Sequence, residues 1–178
     1  MLYIVGWVTG VTHLDNIMYV VCESSSTIRL YNMDTDSLIS SIDVQGMKSP
    51  HDIVICRQHR QLYIADLLYC IWRVSVDGHK SVKWLTIDAN DRFVIQSLSL
   101  TSQRLTVTSR HPPSLRQYNI TDRLKTVIEL PTCVQRLYHA VESTHDTFIV
   151  AHQGTSEDKD QCAVSELFDV SVLLTNYE

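Results

Sequence analysis

A strand motif that returns about every 43 residues constrains this chain more than any other feature. Four short runs rich in β-branched and aromatic residues superpose: Met18-Tyr19-Val20-Val21, Leu62-Tyr63-Ile64-Ala65, Leu105-Thr106-Val107-Thr108 and Thr147-Phe148-Ile149-Val150. After a short polar break each is followed by a second run: Ile28-Arg29-Leu30-Tyr31, Ile71-Trp72-Arg73-Val74, Leu115-Arg116-Gln117-Tyr118 and Val164-Ser165-Glu166-Leu167. Apolar and polar residues alternate in these runs, as they do in half-buried strands. Residues 10–13, 52–56, 97–101 and 138–141 supply a strand ahead of each pair, and residues 38–44, 81–87, 125–130 and 170–174 supply one behind it. The reading is four strands per unit, in units 7–45, 46–88, 89–131 and 132–175.

A single sheet of four short strands cannot bury both of its faces, so such units must stack. A period of this length with four strands per unit predicts an all-β chain, a β-propeller of about four four-stranded blades. An immunoglobulin-like sandwich also has many short strands, but it has no internal period, and its Cys–Trp–Cys spacing is missing. The connectors carry turn chemistry at Asp15-Asn16, Asp34-Thr35-Asp36, Asp77-Gly78 and Thr121-Asp122. The polar stretch 154–161 reads as an enlarged loop. With 44% hydrophobic and 20% charged residues the chain can bury a core.

A formal charge of −5 gives no general attraction to phosphate backbones or anionic lipid, so nucleic acid is disfavoured except through a local basic face. The apolar opening segment lacks a basic leader and falls short of the roughly 20 residues that span a bilayer, so no membrane partner is expected. Cys22, Cys56, Cys70, Cys133 and Cys162 form no CxxC pair, and three of them adjoin β-type runs where a free cysteine reads as a small buried hydrophobe, which fits a reducing, cytoplasmic setting. The one glycosylation triplet, Asn119-Ile120-Thr121, is of a kind that arises by chance.

Within the second unit, Ser49-Pro50-His51-Asp52-Ile53-Val54, then Leu62-Tyr63-Ile64-Ala65-Asp66, then Ile71-Trp72-Arg73-Val74 and Asp77-Gly78 resemble the NHL repeat. That family's pattern has a proline before the inner strand, an LYVAD-like second strand and a third strand ending near a glycine turn. The other units keep the hydrophobic frame without the aspartate, and Tyr69 and Cys70 stand where the family usually has Asn and Arg. The resemblance implies a ring that commonly has six blades, so four units predict either a four-bladed ring or a fragment of a larger one. It also implies a platform for protein or, in some members, RNA. Residues 1–5 would then pair beside residues 170–174 to close the last blade.

Related propeller enzymes, amidating lyases and lactonase-like hydrolases, set histidines and carboxylates around the channel. That resemblance makes His51, His139 and Asp52 the alternative metal set. Asp52 and Asp66 could also act as paired carboxylates, but the resemblance implies a structural task for them, hydrogen-bonding backbone amides at loops within the unit. Arg29, Arg73 and Arg116 recur at or near equivalent positions and would form a stripe for acidic peptides or RNA phosphates, or else a solvated strand face. No GxSxG, HExxH, P-loop or GxGxxG motif is present. The expectation is therefore a non-catalytic scaffold without a cofactor, binding a protein partner through the loops at 23–27, 67–70, 110–114 and 153–160. Tyr69 and His111 lie in two of those loops and join the three arginines as candidate binding residues.

Overall fold

The computed structural model describes residues 6–66, 69–110, 112–123, 125–128, 130, 134–144, 147–153, 162–167 and 172–175. Among them, sixteen strands form four small antiparallel sheets, and a single 3-10 turn, Ala89–Asp91, is the only helical element. The chain divides into two compact units, Met1–Ile87 and Asp88–Glu178, with two sheets in each.

In the first unit, β1 (Val8–Leu14), β2 (Ile17–Cys22), β3 (Thr27–Asn32) and β4 (Ser37–Asp43) pair in chain order to form the first sheet. The second sheet repeats this with β5 (Pro50–Cys56), β6 (Gln61–Asp66), β7 (Cys70–Ser75) and β8 (Ser81–Thr86). Consecutive strands reverse through short turns in which Asp15, Asp36 and Arg60 take left-handed backbone angles near +50°. The alternation of the strands decides the core. Tyr19, Val21, Ile28 and Leu30 of the first sheet pack with Leu62, Ile64, Trp72 and Val74 of the second in one buried cluster. Each such side chain contributes roughly 1.5–3 kcal/mol by leaving water. The inner strands approach closely at Gly10, where an added Cβ would lie 2.9 Å from the Ile53 amide nitrogen, and the Thr9 hydroxyl donates to the Pro50 carbonyl at 2.8 Å.

In the second unit, β9 (Ile95–Leu100), β10 (Arg104–Arg110), β11 (Pro113–Asn119) and β12 (Lys125–Ile128) form the third sheet. The fourth contains β13 (Arg136–Thr144), β14 (Thr147–Gln153) and β15 (Cys162–Leu167). Leu115 and Ile128 pack with Leu137, Ala140, Phe148 and Val150. The last strand, β16 (Val172–Thr175), corrects an expectation. The segment 170–174 was expected to close the fourth sheet, yet β16 runs antiparallel to β12 and makes the third sheet five-stranded. It thereby satisfies outward amides and carbonyls that an edge strand leaves open. The partner expected for that segment, residues 1–5, lies outside the described residues.

All four sheets share one irregularity. Near the start of the inner strand the register skips a residue, at Val8/Gly10, Pro50/Asp52, Ile95/Ser97 and Leu137/His139. With this bulge as the landmark, Cys22, Asp66, Ser109 and His152 occupy equivalent ladder positions. So do Val20, Ile64, Val107 and Val150. In the fourth repeat the sequence superposition is therefore one residue out, since Phe148-Ile149-Val150-Ala151 is the run that matches Leu62-Tyr63-Ile64-Ala65. A one-residue slip turns every side chain to the other face, and the true register is the one that buries Phe148 and Val150.

Candidate functional site

Asp66 ends β6 almost completely buried, and its carboxylate gathers four donors. The amides of Lys48 and Ser49 each donate to it at 3.1 Å, the Trp72 indole Nε1 at 3.3 Å and the Cys70 thiol at 3.9 Å. Burial first, then this neighbouring carboxylate, pushes the Cys70 thiol up to about 11, so it stays protonated and donates. The structural role expected for Asp66 is thus what the geometry shows: it fixes the connector between β4 and β5. Gly46, at a φ of +92°, completes that connector by lying against the Trp72 ring.

Strand reversal places this connector at the same end of the first unit as the β2–β3 loop and Tyr69. The Val44 amide donates to the Ser26 carbonyl at 2.8 Å, the Glu23 amide to the Trp7 carbonyl at 2.8 Å and the Ile87 amide to the Tyr69 carbonyl at 2.7 Å. Tyr69 is half-buried with a left-handed φ of +64°. Trp7, 82% exposed, stands at this rim and is the most exposed large apolar side chain among the described residues. Sequence reasoning passed over it because it precedes the first strand of the repeat. His111, residues 67–68 and residues 154–160 of the predicted loops lie outside the described residues.

The three arginines are not equivalent. Arg29 and Arg116 pair with Val20 and Val107, which share a ladder position, whereas Arg73 pairs with Tyr63, and Trp72 fills the position matching the other two. Arg73 therefore faces the opposite side of its sheet and lowers the tendency of buried Tyr63 to hold its proton; burial still carries the Tyr63 pKa upward. Arg116 is buried, gives a bidentate pair of hydrogen bonds to Asp91 at 2.5 and 2.6 Å, and lies 3.9 Å from the Phe93 ring centre. Those hydrogen bonds hold the Asp91 pKa below its ordinary value. Burial opposes the Arg116 charge, but Asp91 and Tyr118 outweigh it and leave its pKa raised.

The histidines are also placed differently from one another. His51 is the residue skipped by the bulge of β5, while His139 takes the ladder position of Asp52. Asp52 accepts from the Ile53 amide at 2.8 Å, and His139 Nδ1 lies 2.8 Å from the Ser97 hydroxyl, which in turn meets the Thr108 hydroxyl at 2.7 Å. Among the described residues, no group of three or more His, Cys, Asp or Glu is placed to hold a metal ion. Cys22, Cys56 and Cys70 are free and buried. No helix among the described residues is long and apolar enough to cross a membrane.

A second feature was not anticipated. At the other end of the second unit's strands, Thr101, Ser102, Gln103, Arg104, Asn119, Glu142 and Ser143 line a cleft of about 480 Å³. Glu142 is buried behind it, accepting from the Arg104 guanidinium and from Gln117 Nε2 at 2.9 Å; the Gln117 amide also reaches Thr106 Oγ1 at 3.3 Å. Glu142 and Arg104 are 38 residues apart, so only the pairing of the two sheets brings them together.

No protein-family model matches the sequence, and no curated protein sequence matches it. The backbone is nonetheless similar to solved structures. The crystal structure of the computationally designed Ika4 protein superposes with a TM-score of 0.64 at 9% identity, covering 93% of this chain and 93% of that one. A chain of the nidogen/laminin complex gives 0.70 at 14% identity, covering 88% of this chain and 64% of that one. At such identities the likeness concerns fold alone: small antiparallel sheets in a propeller-like pattern.

Proposed function

We propose that this chain is a non-catalytic scaffold of NHL-like propeller blades that binds another protein through the rim at Trp7, the β2–β3 loop and Tyr69. The carrying observation is the pairing of a fixed frame with an exposed anchor. Asp66 immobilises the connector at this rim, and Trp7 stands beside the rim at 82% exposure. A rigid frame lowers the ordering cost of association, and tryptophan is among the side chains that most often dominate an interface. The four sheets are read as successive blades, either of a four-bladed ring or as part of a six-bladed one. Arg104 and Arg116 are engaged with Glu142 and Asp91, which favours a protein over RNA as the ligand.

The test is site-specific photocrosslinking in native cell extract, with the crosslinker at position 23 in the β2–β3 loop and, for comparison, at position 102 in the cleft. The expected result is one adduct at position 23 that Trp7→Ala and Tyr69→Ala each diminish. Equal capture at both positions, none at position 23, or capture that Trp7→Ala leaves unchanged would refute the reading.

A further inference from the structure

The outer strand of the first sheet differs from its counterparts. Residues 37–41 of β4 are all exposed and only Ile42 is buried. Ile39 is the extra residue of a bulge, since Tyr31 pairs with Leu38 and Leu30 with Ser40, and Leu38 and Ile39 are 57% and 51% exposed. The matching outer strand of the third sheet, β12, is covered by β16 in an antiparallel ladder from Lys125↔Thr175 to Ile128↔Val172. The matching strand of the second sheet, β8, carries Lys83 at its centre, a charge of the kind that discourages edge pairing. β4 has a bulge at Ile39 as β8 has at Trp84, but it reads Ser-Leu-Ile-Ser-Ser-Ile-Asp, with no lysine, arginine or proline, and among the described residues no strand pairs with its outer edge.

We infer that the outer edge of β4 receives an extended segment of a partner protein as an added antiparallel strand, with apolar residues alternating along it and a basic residue at each end. The molecule shows this mode of addition in its own chain, where β16 extends the third sheet. Length and charge specify the partner. Opposite the six residues of β3, the bulged β4 presents an edge of about 20 Å. Exposed Asp36 precedes the strand and exposed Asp43 ends it, so a carboxylate stands at either end of an uncharged stretch whose exposed apolar residues are Leu38 and Ile39. A second copy of this chain fits poorly, because antiparallel β4–β4 pairing brings Asp36 and Asp43 of the two copies together at both ends. Main-chain bonds would supply affinity, Leu38 and Ile39 would contact the alternating side chains, and the two aspartates would set orientation and length.

The edge adjoins the rim at its Asp43 end, where the carboxylate accepts from the Ser26 hydroxyl at 2.9 Å, and Trp7→Ala keeps the two apart in the experiment. A fluorescent probe of about nine residues, valine and threonine alternating between terminal lysines, is titrated onto the full chain with amide exchange followed in parallel. Binding is expected to slow exchange across residues 37–43 and to weaken by about tenfold or more in Ile39→Lys, while Val82→Lys on β8 and Trp7→Ala leave it unchanged. The same peptide with terminal glutamates is expected to bind about tenfold more weakly, a difference that shrinks in high salt. The inference is overturned by failure to bind at millimolar peptide, by equal binding of both peptides, or by protection elsewhere than 37–43. Dimerisation that Ile39→Lys abolishes would assign the edge to a second copy and overturn it as well.

Discussion

The second and third sheets fasten the incoming connector at the same place with opposite chemistry. In the second sheet the strand supplies the acceptor: Asp66 ends β6 and receives the amides of Lys48 and Ser49 from the connector. In the third sheet that ladder position is Ser109, whose hydroxyl accepts one amide, from Val94 at 3.2 Å. The charged contact is reversed there. The connector contributes the carboxylate, Asp91, and strand β11 contributes the guanidinium of Arg116. The backbone position is conserved between repeats while the side chains that secure it exchange roles. A buried carboxylate in one repeat and a buried arginine in the next are thus two solutions to one problem, and neither marks a ligand site by itself.

The comparison is broken most severely at Asp66. Asp66→Ala would leave two connector amides and the Trp72 indole without their acceptor in a buried setting, so a loss of about 3 kcal/mol is expected in urea unfolding. Asp66→Asn keeps an acceptor oxygen and should lose about half as much. If Asp66→Ala unfolds at an unchanged midpoint, the carboxylate does not hold the connector. Arg116→Met is next, at about 2 kcal/mol, because it removes two charge-assisted hydrogen bonds and the Phe93 contact while retaining apolar volume. Ser109→Ala should cost about 1 kcal/mol, the worth of one neutral bond left unmade. Equal losses at Asp66 and Ser109 would show that the number of donors gathered is irrelevant.

The sequence revealed the frame more readily than the fastenings. Alternation in Leu62-Tyr63-Ile64-Ala65 and its counterparts was legible because burial of one strand face imposes a period of two, whereas the role of the terminal aspartate was suggested by the resemblance to the NHL repeat. The fourth repeat was set one residue out because the bulge at Leu137/His139 leaves no compositional mark, and Phe148 and Ile149 are equally apolar. The destination of β16 was hidden for a related reason. A short apolar strand suits any open edge, and only tertiary structure selects β12. Arg116 looked like part of a basic stripe since its partner, Asp91, is 25 residues away in a connector that no strand pattern describes. The Glu142 cluster was illegible for the same cause.

The smallest expected effect sharpens the comparison through pH. The Arg116 hydrogen bonds hold Asp91 below its ordinary pKa in the folded chain, so the unfolded state takes up protons first as acid is added. The contribution of Asp91 is therefore complete above the unfolded value, near 4, and is lost as pH falls through the lower folded value. Because Asp91 is partly exposed, solvent screens the pair, and the pH-dependent part should stay under about 1 kcal/mol. In thermal melts the wild-type chain should exceed Asp91→Asn by about 2–4 °C or less at pH 6, with the gap closing in strong acid. A gap that persists unchanged at pH 2 would mean that Asp91 acts through shape rather than charge, and the exchange of polarity between the two sheets would then be incidental to their stability.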